Sequence, residues 1–115
     1  MVEYKSKLLD RTFGALADPT RRRILAQLAK GEDCVTNLAE PHSMSLAAVS
    51  KHVIVLEKAG LVKRRRKGRV HTLRLEAQPM KEAQLWINRY REFWEGNLDR
   101  FEDYLNKLQQ KGKQT

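Results

Sequence analysis

Apolar positions recur every three to four residues through most of this chain, and the pattern predicts a run of helices interrupted once. In KLLDRTFGALA (7–17), Leu8, Leu9, Phe13, Leu16 and Ala17 fall on one side at helical spacing, a first helix. Asp18-Pro19 then reads as an N-cap followed by proline at the first helical position. The helix it opens, PTRRRILAQLAKG, turns Ile24, Leu25 and Leu28 inward and stops at Gly31. A short third helix is expected over about 35–40, with Leu38 and Ala39 inward. The brief turn Pro41-His42-Ser43 leads into SLAAVSKHVIVLEKAGL (45–61), on which the remaining elements converge. Ser45 can accept from an orphan first-turn amide, and Val49, Val53, Leu56 and Gly60 make one stripe. Gly60 stands just past the last periodic residue, where a helix commonly ends in left-handed backbone. Helix, short turn, helix is the helix-turn-helix arrangement.

The period then changes from 3.6 to 2. Strand-like runs at about 61–65 and 70–75 flank a tip at Lys67-Gly68-Arg69, with His71, Leu73 and Leu75 on one face and Val70, Thr72 and Arg74 on the other. A lone two-stranded hairpin is marginal, so it must pack on the helices. From Pro79 the helical period returns in one long segment, with Trp86, Tyr90, Trp94, Leu98, Phe101, Leu105 and Leu108 at mostly 3–4 spacing and Ile87, Phe93, Arg91, Asn97 and Tyr104 flanking. Some 30 residues of helix would span roughly 45 Å, more than a small globule needs. Five aromatics between Trp86 and Phe101 exceed what a small core absorbs, so this stripe is expected to be a dimer seam. Gly96 is where the helix would bend or be interrupted, and the polar tail 111–115 is expected to fray.

Length and charge narrow the picture. The 115 residues suit one domain, and 23 Lys+Arg against 14 Asp+Glu give a formal charge of +9, favouring a polyanionic partner. Seven cations and no acid lie between Lys63 and Arg74 (Lys63, Arg64, Arg65, Arg66, Lys67, Arg69 and Arg74), denser than an ordinary salt-bridged edge. Edge protection by Lys and Arg is the competing explanation, and nucleic-acid contact is the favoured one. Arg21, Arg22 and Arg23 occupy a first helical turn, where the macrodipole disfavours cations; solvated arginines explain this more simply than a bound anion. The N-terminus shows no signal-peptide core, and no segment approaches the ~18 apolar residues of a spanning helix. With one cysteine, Cys34, the chain fits a reducing compartment, and a soluble cytoplasmic protein with no membrane partner is expected.

The chemistry expected is recognition, not catalysis. No Ser/His/Asp or Cys/His set sits at a plausible spacing, and no glycine-rich phosphate loop is present, so an enzyme is not expected and no cofactor is assigned. Ser45, Leu46, Ala47, Ser50 and Lys51 are the candidate base readers, with small or apolar groups for thymine methyls and polar ones for base edges. Arg64, Arg65, Arg66, Lys67 and Arg69, with His52, are candidates for the DNA backbone or minor groove. For His52, close to the apolar stripe, a hydrogen-bonded structural role is favoured over base reading. Leu8, Leu9, Phe13, Trp86, Tyr90, Trp94, Leu98, Phe101 and Leu105 are the expected dimer contacts. The rival readings are an RNA-binding winged helix and a protein-interaction module using the basic wing. RNA readers stack bases on exposed aromatics, and the wing has none.

FGALADPTRRRILAQLAKGE, SLAAVSKHVIVLEKAGLV and RRRKGRVHTLRL together resemble the ArsR-type winged helix-turn-helix repressors of bacteria, over about residues 8–105. The resemblance implies a mainly α fold with a small β-hairpin: three helices, a recognition helix (45–59), a wing (61–75) and a C-terminal dimerisation segment (79–110). It implies a homodimer joined by its first and last helices, bound to an imperfect inverted repeat in double-stranded operator DNA. WINRYREFWEGNLDRFEDYL resembles the branch that lacks metal sites and often regulates its own operon. Metal-sensing members carry Cys-Val-Cys in the third-helix region; here GEDCVTNLAE offers Cys34 and then Thr36. One thiolate cannot hold a soft metal, and the C-terminal segment has no histidine, His42, His52 and His71 all lying upstream. No metal is expected, and Cys34 is expected to be a small buried hydrophobe or a bystander thiol.

Overall fold

Capping chemistry sets the element boundaries, and at three of them the expected residues do the work. In the computed structural model, which describes the backbone of residues 2–113 and the side chains of 6–96 and 99–110, the order is α1 (Val2–Leu16), α2 (Pro19–Ala29), β1 (Asp33–Cys34), α3 (Val35–Ala39), α4 (Leu46–Lys58), β2 (Val62–Lys67), β3 (Val70–Leu75), α5 (Gln78–Asn88) and α6 (Arg91–Lys113). Asp18 accepts from the Arg21 amide at 3.0 Å and Pro19 opens α2; Ser45 Oγ accepts from the Ala48 amide at 3.1 Å and opens α4. At the other end of α4, Gly60 takes φ +75°, its amide donates to Glu57 O at 3.0 Å, and the Leu61 amide donates to Leu56 O at 3.0 Å. That pair of bonds is a Schellman motif, and it drops Leu61 straight into the core.

The chain divides after Ala83 into two compact units. In the first, Ile24, Leu25 and Leu28 of α2, Leu38 of α3, Val49, Val53 and Leu56 of α4, and Leu61, Val62 and Leu73 of the sheet region form one buried cluster with Ala15 and Ala59. Leu16, Val35, Ala39, Leu75 and Met80 pack on its margin. The α3–α4 turn is pinned by Gln27, whose Nε2 donates to Leu38 O at 3.2 Å and whose Oε1 accepts from His42 Nε2 at 2.8 Å.

The sheet has three strands in the order β1-β3-β2, all antiparallel, rather than the hairpin alone that period-2 patterning predicts. Asp33 and Cys34 pair with Leu73 and Thr72, too short a strand for any alternation to register. Cys34 is half-buried there, not a core residue. The first wing strand runs to Lys67, two residues beyond the expected end, because a two-residue turn suffices: Lys67 pairs with Val70, and Gly68 at φ +61° supplies the bend.

In the second unit the expected single helix is broken, and the break is not at Gly96. It falls at Arg89-Tyr90, where the amides of Arg89, Tyr90 and Phe93 reach back three residues to Trp86, Ile87 and Tyr90 carbonyls and tighten the backbone out of the α-helical register. Gly96 lies inside α6, which continues through it. Trp86, Tyr90, Phe93, Trp94, Phe101, Tyr104, Leu105 and Leu108 are all exposed in the single chain. The Trp86 and Tyr90 rings meet at a tilt with centroids 5.3 Å apart, and those of Tyr90 and Phe93 at 6.3 Å. The side chains of Asn97, Leu98 and 111–113, and all of 114–115, lie outside the described residues; where fraying is expected, the backbone of 111–113 continues α6.

Candidate nucleic-acid interface

A recognition helix needs one face held by the core and another left free, and α4 has both. Val49, Val53 and Leu56 are fully buried, while Leu46, Ala47, Lys51, Ile54 and Val55 are exposed and Ser50 is half-buried. The exposed first turn is therefore the small, apolar and polar set expected from the sequence, with Ser45 exposed beside it. Its hydroxyl is partly committed, since it accepts the Ala48 amide, but its proton remains free to donate.

His52 does not stand free on this face. Its Nδ1 accepts from Arg21 Nη1 at 3.2 Å and lies 3.8 Å from Asp18 Oδ2, so the ring anchors α4 to the α1–α2 corner. Arg21 also donates to Ala15 O at 2.7 Å and Gly14 O at 3.0 Å, and Arg22 donates to Leu16 O at 2.7 Å. These arginines misfit the N-terminus of α2 because they serve the C-terminus of α1, where orphan carbonyls and the helix dipole favour cations. Among them only Arg23 has no such partner among the described residues. The hydrogen bond from the Arg21 amide holds the Asp18 carboxyl below the usual aspartate range; desolvation opposes this, and His52 and the Arg21 charge add to it.

The wing divides into two sets. Arg64 grips Glu57 of α4 with both Nη2–Oε1 at 2.5 Å and Nε–Oε2 at 3.3 Å, and its Nη1 donates to His71 Nδ1 at 3.0 Å. Arg65 reaches Glu32 at 3.2 Å. The expectation that this cluster is too dense for salt bridges is thus corrected for two of its members: acids distant in sequence fold onto it. Arg66, Lys67 and Arg69, at the tip, have no ion pair or side-chain hydrogen bond among the described residues and are exposed. A count of charges along the wing alone cannot register Glu57 and Glu32. A signal existed, however, since Glu57 sits in the last turn of α4, where a carboxylate is as misplaced as a cation in the first turn of α2.

No group of three metal-ligating side chains is present among the described residues. Likewise, no helix among them is long and apolar enough to cross a membrane.

The model of the arsR family of bacterial regulatory proteins matches residues 18–64, from the α2 cap into the wing. The chain is 37% identical over 79 residues to YuzN of Bacillus subtilis, an HTH-type transcriptional regulator, and spans 86% of that protein. The chain belongs to the ArsR family. It is 47% identical over 57 residues to the transcriptional repressor SmtB homolog of Synechocystis, spanning only 43% of that relative's length. Among solved structures it is similar to the ArsR family transcriptional regulator RHA00566, with 38% identity, a TM-score of 0.73, and coverage of 78% of this chain and 93% of that one. It is also similar to the homodimeric winged helix-turn-helix DNA-binding domain Mb0332 of Mycobacterium bovis, at 30% identity, a TM-score of 0.60, and coverage of 78% and 84%. The fold is accordingly the winged helix-turn-helix of DNA-binding transcriptional regulators, with α3 and α4 as the helix pair and β2–β3 as the wing. The ArsR family is one of regulators, not enzymes, in keeping with the sequence.

Proposed function

We propose that two copies of this chain bind an inverted-repeat operator and repress the transcription it controls, in the cytoplasm and without a metal or cofactor. The carrying observation is the pairing, within one compact unit, of a small-faced exposed helix start (Leu46, Ala47, Lys51) with unpartnered wing-tip cations (Arg66, Lys67, Arg69). In this reading Ser45, Leu46, Ala47, Ser50 and Lys51 meet base edges in the major groove, and the wing tip lies on phosphates or in the adjacent minor groove. Arg64, Arg65 and His52 act behind them, orienting the wing and α4 through their protein partners. Leu8, Leu9 and Phe13 of α1 and the aromatic stripe from Trp86 to Leu105 join the two copies, setting half-sites about 34–36 Å apart. The homodimeric Mycobacterium bovis neighbour supports this assembly.

The test is selection of bound duplexes from a genomic fragment pool, followed by affinity measured against salt. A palindromic site is expected, with affinity falling roughly 10³–10⁵-fold between 50 and 200 mM salt if 6–10 phosphates are neutralised. Recovery of a single unrepeated site, or preference for single-stranded RNA, would sink the proposal.

A further inference from the structure

Across the wing ladder, Lys63 stands directly opposite Arg74, and Arg65 opposite Thr72. Directly opposed like charges destabilise a strand pair. Neither Lys63 nor Arg74 has an acidic partner among the described residues, and Arg65 has only Glu32, in a solvent-facing pair. Residues alternate faces along a strand, so Lys63, Arg65, Thr72 and Arg74 share the face opposite that of Val62 and Leu73, which are buried in the core. Arg64, bonded to α4, belongs to the core-side face as well. The outer face is therefore the side of the sheet turned away from the reading helix.

The surface there is concave. Lys63, Arg65, Thr72 and Arg74 of that face, with Glu32, line a cleft of about 380 Å³. The Thr72 hydroxyl is half-buried and has no hydrogen-bond partner among the described residues.

We propose that this cleft is a binding site for a small phosphorylated ligand, with Lys63 and Arg74 neutralising the phosphate oxygens and Thr72 donating its hydroxyl. A phosphate group accepts several charge-assisted hydrogen bonds at once and relieves the Lys63–Arg74 repulsion. One feature favours a small anion over a duplex backbone: the cations line a recess. The Glu32 carboxylate that also lines it is held by Arg65 at 3.2 Å, which offsets its repulsion of the ligand.

The probe is inorganic pyrophosphate, titrated calorimetrically into the full chain at about 0.15 M salt, where distant surface charges are largely screened. One saturable site per chain is expected. Lys63→Gln and Arg74→Gln, both at exposed positions, should each weaken it about tenfold, the value of one charge-assisted bond. Thr72→Val should weaken it too, although it alters no charge. Arg66→Gln and Arg69→Gln at the wing tip should leave it unchanged. Each variant's thermal midpoint reports that it is folded. Absence of saturation overturns the proposal. So does equal weakening by all four charge variants with none from Thr72→Val, which would mean a diffuse positive field. Finally, if Lys63→Gln and Arg74→Gln reduce duplex affinity as much as Arg69→Gln does while pyrophosphate goes unbound, the cations serve the DNA backbone and the proposal fails.

Discussion

The two units of this protein use apolar residues in opposite ways. Every fully buried side chain among the described residues lies at or before Ala83, where helices and sheet close over Leu56, Leu73 and their neighbours. Beyond it the apolar side chains are as large or larger, yet none described is buried; Phe93 is 73% exposed and Phe101 59%. The first unit builds a continuous core, although Leu46, Ile54, Val55 and Val70 stay exposed on it. The second, taken by itself, leaves its aromatic stripe exposed, and contiguous aromatic stripes of this size seldom face water.

The core of the first unit is where a single substitution should cost most. Leu56→Ala deletes a fully buried side chain of α4 and should cost about 2–5 kcal/mol, read as a fall in thermal midpoint with loss of DNA binding. A change of less than about 1 kcal/mol would mean that α4 is not held as described. In the second unit, Phe101→Glu with Leu105→Glu should leave helical content and core stability intact while weakening self-association by about 2 kcal/mol or more, roughly 30-fold. Sedimentation velocity separates the cases: an unchanged sedimentation coefficient would remove α6 from the seam.

Within the first unit the reading helix and wing tip should differ in kind. Ser50→Ala and Lys51→Ala should change which bases are preferred, by about 1–3 kcal/mol at the affected positions. Arg66→Ala and Arg69→Ala should weaken all duplexes alike and lower the salt slope by about 1 for each phosphate no longer neutralised. Competitive binding to a randomised operator library distinguishes these outcomes. The smallest effect belongs to Asp18. Its folded carboxyl titrates below the usual value, so its contribution is fully present above the unfolded aspartate range and is lost as pH falls through the lower folded value. Asp18→Asn keeps the cap and should flatten that acid limb of the stability profile, visible in thermal midpoints taken across it.

What was legible in the sequence was local. Asp18-Pro19, Ser45 and Gly60 announce their boundaries because each cap acts within three or four residues of itself. The stripe of Val49, Val53 and Leu56 is likewise a repeat along one helix. What escaped was everything assembled from distant segments: β1, whose two residues are strand only because β3 lies beside them; the Arg64–Glu57 and Arg65–Glu32 pairs; and the Arg21 contacts to carbonyls at the end of α1. The helix break at Arg89-Tyr90 escaped for another reason, since neither residue is a breaker and the glycine nearby tolerates the helix. Charges at the wrong end of a helix were the one sequence-level trace of the hidden partners.

The clasp between Glu57, Arg64 and His71 has a mechanical corollary. It joins the last turn of α4 to the root of the neighbouring finger, so the two would turn together as one tool with a set opening. On the proposed operator, such a tool would gauge the offset from one groove to the next. Bent or overwound stretches of duplex would then be accepted or refused by their contour, even where the letters are unchanged.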